Sequence, residues 1–189
     1  SPLFTETFKL DCDLPGKYQN KNLKGVLVAA QLLSSMGWNL NAATIFNALQ
    51  SIKKTTGLMG RWECLQKNPH IVLDVAHNEH GIHALLEQLE TIDYKQLHIV
   101  TGMVKDKDVD AVLALLPSNA LYYFTQSHIP RALPVNELMA KANQHHLIGT
   151  SFTNVNIAIK SALEKATSHD LILVMGSVFL VAEVDRTIF

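Results

Sequence analysis

From residue 61 onward, short apolar runs alternate with stretches of helical length, and this alternation narrows the possible folds more than any single motif. Strand-like segments fall at 61–66 (RWECLQ), 70–76 (HIVLDVA), 97–103 (LHIVTGM), 120–125 (ALYYFT), 150–153 and 171–176 (LILVMG). Helix-like segments fall at 79–92, 107–116, 134–146, 155–168 and 177–187. Short apolar strands separated by helices of that size are the sequence form of a parallel sheet covered on both faces. The expected fold is α/β: a Rossmann-like, mostly parallel sheet with helices on both sides.

Residues 17–56 read instead as helices. Leu23, Leu27, Ala30, Leu33 and Met36 recur at helical spacing, and Gly37 closes the run. A second helical pattern opens at Asn41, a natural cap, carries Ile45, Phe46, Leu49 and Ile52 on one face, and ends with Lys53 and Lys54. The glycine-punctuated "GLMGR", residues 57–61, suits a hinge. Two domains are expected: the helical tail end of one over 1–58, and the Rossmann-like domain over 59–189. The opening "SPLFTETFKLDCDLPG" has no initiator methionine and holds a strand-like run from Phe4 to Leu14, so a fragment of a longer protein is expected.

Composition limits the function classes. Apolar residues make up 48% of the chain and charged ones 17%, enough to bury a sizeable core. The formal net charge is −1 with both signs scattered, which argues against a nucleic-acid stripe or a polybasic membrane patch. No apolar run reaches the roughly 18–20 residues of a membrane span, and no signal-peptide pattern opens the chain. Cys12 and Cys64 are far apart and form no CxxC, which reads as reduced thiols in a cytoplasmic protein.

One residue interrupts the pattern. In "IVLDVAHNEHG", residues 71–81, Asp74 stands inside an apolar strand. Desolvating an unpaired carboxylate costs several kcal/mol, so a partner, a ligand or a special geometry is required. Open α/β sheets bind ligands at the carboxyl ends of their strands, where Asp74 is expected to lie, and an acid there can face a cleft and accept bonds from sugar hydroxyls. The helix that follows offers free N–H groups to anions. The plainer alternatives are that Asp74 bonds a backbone N–H or an Arg, and that Asn78 is a helix cap.

"GRWECL", "LDVAHNEHG", "TGMVKDKD" and the closing "MGSVFLVAEV", in that order and spacing, closely resemble the C-terminal domain of the folylpolyglutamate synthase/dihydrofolate synthase family of the Mur ligase superfamily. The upstream "LPGKYQNKNLKGVLVAAQLL" resembles the end of that family's central ATPase domain. The resemblance implies an ATP-dependent ligase. It would join L-glutamate to dihydropteroate, or to a folate already carrying glutamate, through an acyl phosphate. ATP and Mg²⁺ are the implied cofactors, with the Mg²⁺ ligands on an N-terminal part outside this chain. A cytoplasmic monomer with no nucleic-acid or membrane partner is implied as well.

Carried over by residue, the resemblance places Arg61 and Asp74 at the nucleotide, Asp74 on the ribose hydroxyls, and Asn22 approaching from the central domain beside Gln19. His77 falls near the phosphates or the incoming glutamate, and is the implied catalytic residue. Ser177 falls near the glutamate site, with helix capping as its plain alternative. An ion pair of Arg61 with Glu63 or Asp74 is the alternative there. Lys105, Asp106 and Asp108 are expected to start a helix and carry solvated charge.

The chain departs from the family pattern at Tyr18 (usually His), Val75 (often Gly) and Glu79 (often Pro), and lacks the Pro before Gly60-Arg61. No G-x-x-x-x-G-K-[ST] phosphate loop occurs in its 189 residues, so the chain alone is expected to be inactive. Another Mur-type amino-acid ligase, or a non-catalytic Rossmann-like module binding a nucleotide or a partner, are the competing readings.

Overall fold

The computed structural model describes residues 3–4 and 8–188, which divide into two compact units, Ser1–Arg61 and Trp62–Phe189. The first unit holds α1 (Gln19–Ser35), α2 (Ala42–Leu49) and α3 (Ile52–Thr56). α1 ends as its sequence requires. Gly37 takes a left-handed φ of 94°, the Trp38 N–H returns to the Leu33 carbonyl and the Gly37 N–H to that of Ser34, which closes the last turn. Asn41 caps α2 by accepting the Thr44 N–H at 2.8 Å. Ala30, Ile45 and Leu49 form this unit's small core.

The strand expected from Phe4 to Leu14 is absent over residues 8–14; residues 5–7 lie outside the described part. Leu3, Phe4 and Leu10 pack on the helical core, and the Phe8 ring sits 4.4 Å from that of Phe46. The Asp13 carboxylate accepts the Lys53 N–H at the start of α3. The apolar residues gather on the helices, and no neighbouring strand among the described residues of this unit offers a ladder to join.

The second unit is a six-stranded sheet in the order β1-β2-β6-β3-β4-β5. Its strands are β1 (Glu63–Lys67), β2 (His70–Asp74), β3 (Leu97–Gly102), β4 (Leu121–Phe124), β5 (Gly149–Ser151) and β6 (Leu171–Gly176). β1 pairs antiparallel with β2 and every other pairing is parallel. β3 and β6 are buried along their whole length, because helices cover both faces. The mostly parallel α/β sheet expected from the sequence is what the chain forms.

The helices are α4 (Glu79–Leu89), α5 (Val109–Leu115), α6 (Val135–Gln144), α7 (Val155–Lys165) and α8 (Val178–Ala182). α4, α5 and α6 send Ile82, Leu85, Val112, Leu113 and Leu138 to one face of the sheet, against Ile99 and Phe124. α7 and α8 send Ile159, Ala162, Leu180 and Val181 to the other, against Ile71, Val100 and Val174. Each fully buried Leu, Ile or Val contributes about 1.5–3 kcal/mol, so these two layers dominate stability. Asn78, Asp108 and Asn154 cap α4, α5 and α7 through their side chains.

The last helix is shorter than the expected 177–187. It stops at Ala182, and a 3-10 turn follows at Arg186–Ile188. Asn156 on α7 holds the chain beyond that stop, donating to the Glu183 carbonyl at 3.0 Å and accepting the Asp185 N–H at 2.8 Å, so these groups are bonded outside the helix. No helix among the described residues is long and apolar enough to cross a membrane.

One polar group lies deep in the second layer. His98 on β3 is buried, with Nδ1 3.0 Å from the Tyr123 hydroxyl and Nε2 3.7 Å from the Asp170 carboxylate. Burial pulls its pKa below the ordinary 6.5 against the opposing pull of Asp170, while Lys165 pushes it further down. Half-buried His70 is lowered too, by desolvation and by Lys67. In both cases the unfolded chain takes up a proton first as pH falls through 6.5, so this stability is complete above 6.5 and is lost below it. The urea midpoint is expected to fall between pH 7.5 and 5.5. The slope is at most about 1.4 kcal/mol per pH unit for buried His98 and less for solvent-screened His70, and it shrinks in His70→Gln.

Candidate functional site

At the carboxyl edge of the sheet, the loops leaving β2 and β6 part to opposite faces, β2 toward α4 and β6 toward α8. Adjacent parallel strands whose connections diverge in this way leave a crevice between them, the usual ligand position in open α/β sheets. Asp74 pairs in register with Met175, so the 75–78 turn and Ser177 flank that crevice.

Asp74 ends β2 and is only 2% exposed. Its Oδ2 accepts the Trp62 N–H at 2.9 Å and its Oδ1 accepts the Ala76 N–H at 2.9 Å. This corrects the expectation of an acid facing an open cleft, since here the carboxylate turns inward to two backbone donors. The donors answer the desolvation cost and leave the acid oriented. Trp62 needs that hold, because it takes a left-handed φ of 50°, uncommon for a bulky residue.

His77 Nδ1 lies 2.9 Å from the Val75 carbonyl. A carbonyl only accepts, so Nδ1 of the neutral ring carries the proton and Nε2 presents a lone pair. Asn78 is the helix cap foreseen for it, accepting the Gly81 N–H at 2.9 Å. Ser177, 3% exposed, caps α8 by accepting the Leu180 N–H at 3.1 Å. Its own N–H donates to the Gly102 carbonyl at 3.2 Å. Gly176, at φ 130°, lies so close to β3 that a Cβ there would sit 2.2 Å from the Gly102 oxygen.

Two expected site residues belong to the first unit. Asn22, on the first turns of α1, donates its side-chain amide to the Gln19 side-chain oxygen Oε1 at 2.8 Å, so the two motif residues hold each other. Arg61 closes that unit at a bend, half-buried. Glu63, named as its possible partner, receives a two-bond fork from Arg186 at 2.8 and 3.1 Å.

Sequence reading missed Arg131, whose guanidinium bonds Asp106 and lies over the Phe179 ring. Asp106 is thereby an ion-pair partner, its carboxyl held below the usual range chiefly by the Arg131 hydrogen bond. Asp108 is the helix starter it was expected to be. The only sequence signal for Arg131 was a basic residue after a proline in "HIPRAL", which carries no chemistry by itself. A cavity of about 460 Å³ lies at the other end of the strands, lined by Lys67, His70, Tyr94, Lys95 and Asp170, away from these groups. Among the described residues no group of three His, Cys, Asp or Glu side chains is placed to hold a metal ion.

The family described as Mur ligase, glutamate ligase domain, matches residues 60–178. A dihydrofolate synthase/folylpolyglutamate synthase of Buchnera aphidicola subsp. Schizaphis graminum is 30% identical over 163 residues, 85% of this chain and 38% of that protein. The fold is also that of an E. coli FolC in complex with ADP and without folate substrate, with a TM-score of 0.73, 27% identity, and coverage of 95% of this chain and 41% of that one. A bifunctional folylpolyglutamate synthase/dihydrofolate synthase with Mn, AMPPNP and L-glutamate bound matches with a TM-score of 0.69 and 28% identity, covering 86% of this chain and 38% of that one. The chain spans under two fifths of the length of the first curated relatives it matches.

Asp74→Asn keeps the shape but turns an amide N–H₂ toward one backbone donor. An unmet buried N–H costs about 1–3 kcal/mol, and that loss is expected in the unfolding free energy measured by urea titration.

Proposed function

This chain belongs to the Mur ligase family, whose glutamate ligase domain it carries, and we propose on that premise that it is part of an ATP-dependent ligase acting on folates. The enzyme adds L-glutamate to dihydropteroate, to a folate already carrying glutamate, or to both. The reading is carried by one juxtaposition: the Asp74–His77 turn and Ser177 flank a single crevice where the β2 and β6 loops part. The names of the relatives and the bound ADP, AMPPNP and L-glutamate of the similar structures support it. Residues 1–58 are assigned on this reading to the end of the central ATPase domain, and the protein works as a cytoplasmic monomer.

ATP supplies the phosphoryl group that converts the acceptor carboxylate to an acyl phosphate, which the glutamate amine then attacks. Arg61 meets the nucleotide with its planar, always-charged fork. Asn22 is a nucleotide contact on this reading, and Asp74, bonded to Trp62 and Ala76, orients the turn that carries His77. His77 offers its Nε2 lone pair to a proton leaving the incoming ammonium group, because Nδ1 is committed to Val75. Ser177 holds a glutamate carboxylate beside the first turn of α8. The crevice, once covered, keeps water from the acyl phosphate. The described residues of this chain bring together no group of three carboxylate, imidazole or thiol side chains that would hold Mg²⁺.

The test is an assay of the full-length gene product with ATP, Mg²⁺, labelled L-glutamate and a panel of dihydropteroate, folate and UDP-sugar peptide acceptors. Glutamate transfer to the first two is expected, and His77→Ala should lower kcat by about 10²–10⁴-fold, the usual worth of a positioned proton acceptor. Transfer to none of them, or only to the peptides, would overturn the folate reading. The 189-residue chain itself, whose sequence holds no phosphate loop, is expected to show no turnover.

A further inference from the structure

α8 has five residues, Val178–Ala182, fewer than an isolated helix needs to keep its shape. Leu180 and Val181 anchor it below, but Val178 and Phe179 are exposed on top. On that exposed side it is met by the loop between β4 and α6. At one end of the helix the Glu183 carboxylate accepts both the His128 backbone N–H at 2.6 Å and a bond from His128 Nδ1 at 2.8 Å. Near the other end the Arg131 guanidinium carbon lies 5.5 Å from the centroid of the Phe179 ring.

Arg131 also reaches the loop between β3 and α5. Its Nη2 donates to Asp106 Oδ2 at 2.5 Å, and its carbonyl accepts the Lys105 N–H at 3.0 Å. Leu133 N–H donates to the Met103 carbonyl at 2.9 Å, and Val104 bridges to Ala132. The two loops are thus laid together by main chain, and one side chain extends from them to the helix that Ser177 caps.

From this clasp we infer that Arg131 is a positioning residue, holding the first turn of α8, and with it Ser177, in a fixed relation to the β3–α5 loop. The Asp106 pair is about half exposed at both partners, so it adds little to global stability. A cation over an exposed ring is likewise a weak contact. What the contacts fix is an angle. A guanidinium spreads its donors over a plane that reaches both the ring and the carboxylate, whereas lysine keeps the charge on a single point, so it reproduces the geometry only in part.

The role at the site rests on the proposed glutamate function, whereas the clasp itself does not. In the 189-residue chain, Arg131→Ala is expected to speed amide hydrogen exchange at 177–182 by about ten-fold or more while β2 and β6 keep their protection, as a local release requires. In the full-length ligase the same variant is expected to raise the KM for glutamate by about ten-fold, with kcat and the KM for ATP changed less than about three-fold and Arg131→Lys restoring only part. Unchanged exchange at 177–182, exchange that rises uniformly, or an unchanged glutamate KM in an active ligase would each overturn the inference. If the wild-type ligase is inactive on glutamate, the proposed function fails by itself, and the exchange measurement still decides whether Arg131 holds the helix.

Discussion

The carboxylate of Asp74 shapes both ends of the segment on which the site depends. One oxygen fixes Trp62, the first residue of the α/β unit, and the other fixes Ala76, two residues on. The chain enters the unit in a left-handed conformation at Trp62 and leaves β2 through a turn that ends at a helix cap. Neither bend persists by itself, since positive φ at a bulky residue costs free energy that surrounding contacts must offset. A single buried acid supplies part of that offset at both places, and so couples the start of the unit to the turn bearing His77.

Much of this fold was legible because its signals are local. Asn41, Asn78 and Asp108 act within three residues of themselves, and apolar periodicity at 97–103 or 171–176 follows from burial on two faces. The failures were nonlocal. The Phe4–Leu14 run reads like a strand, but Phe4, Phe8 and Leu10 pack on helices that the pattern cannot see. The helix expected to reach residue 187 stops at Ala182, and the backbone groups beyond it bond Asn156, which is remote in sequence and adjacent in space.

The site was legible as a set of positions and less so as a set of contacts. Sequence placed Asp74 at a strand end, His77 in the turn that follows and Ser177 at the start of the last helix, and there they stand. It could not tell that Asp74 turns inward, because its Trp62 donor exists only once β1 and β2 pair. It could not single out Arg131, whose partners Asp106 and Phe179 come from two other loops.

An added Cβ at Gly176 would sit 2.2 Å from the Gly102 oxygen, and one at Gly102 would sit 2.7 Å from the Thr125 carbonyl oxygen. Both obstacles are main chain, which cannot swing aside as the tip of a long side chain can. Any larger residue at either position therefore has to displace a strand or the loop after it rather than a rotamer. Sequence drift along this edge is confined to the neighbours of the two glycines.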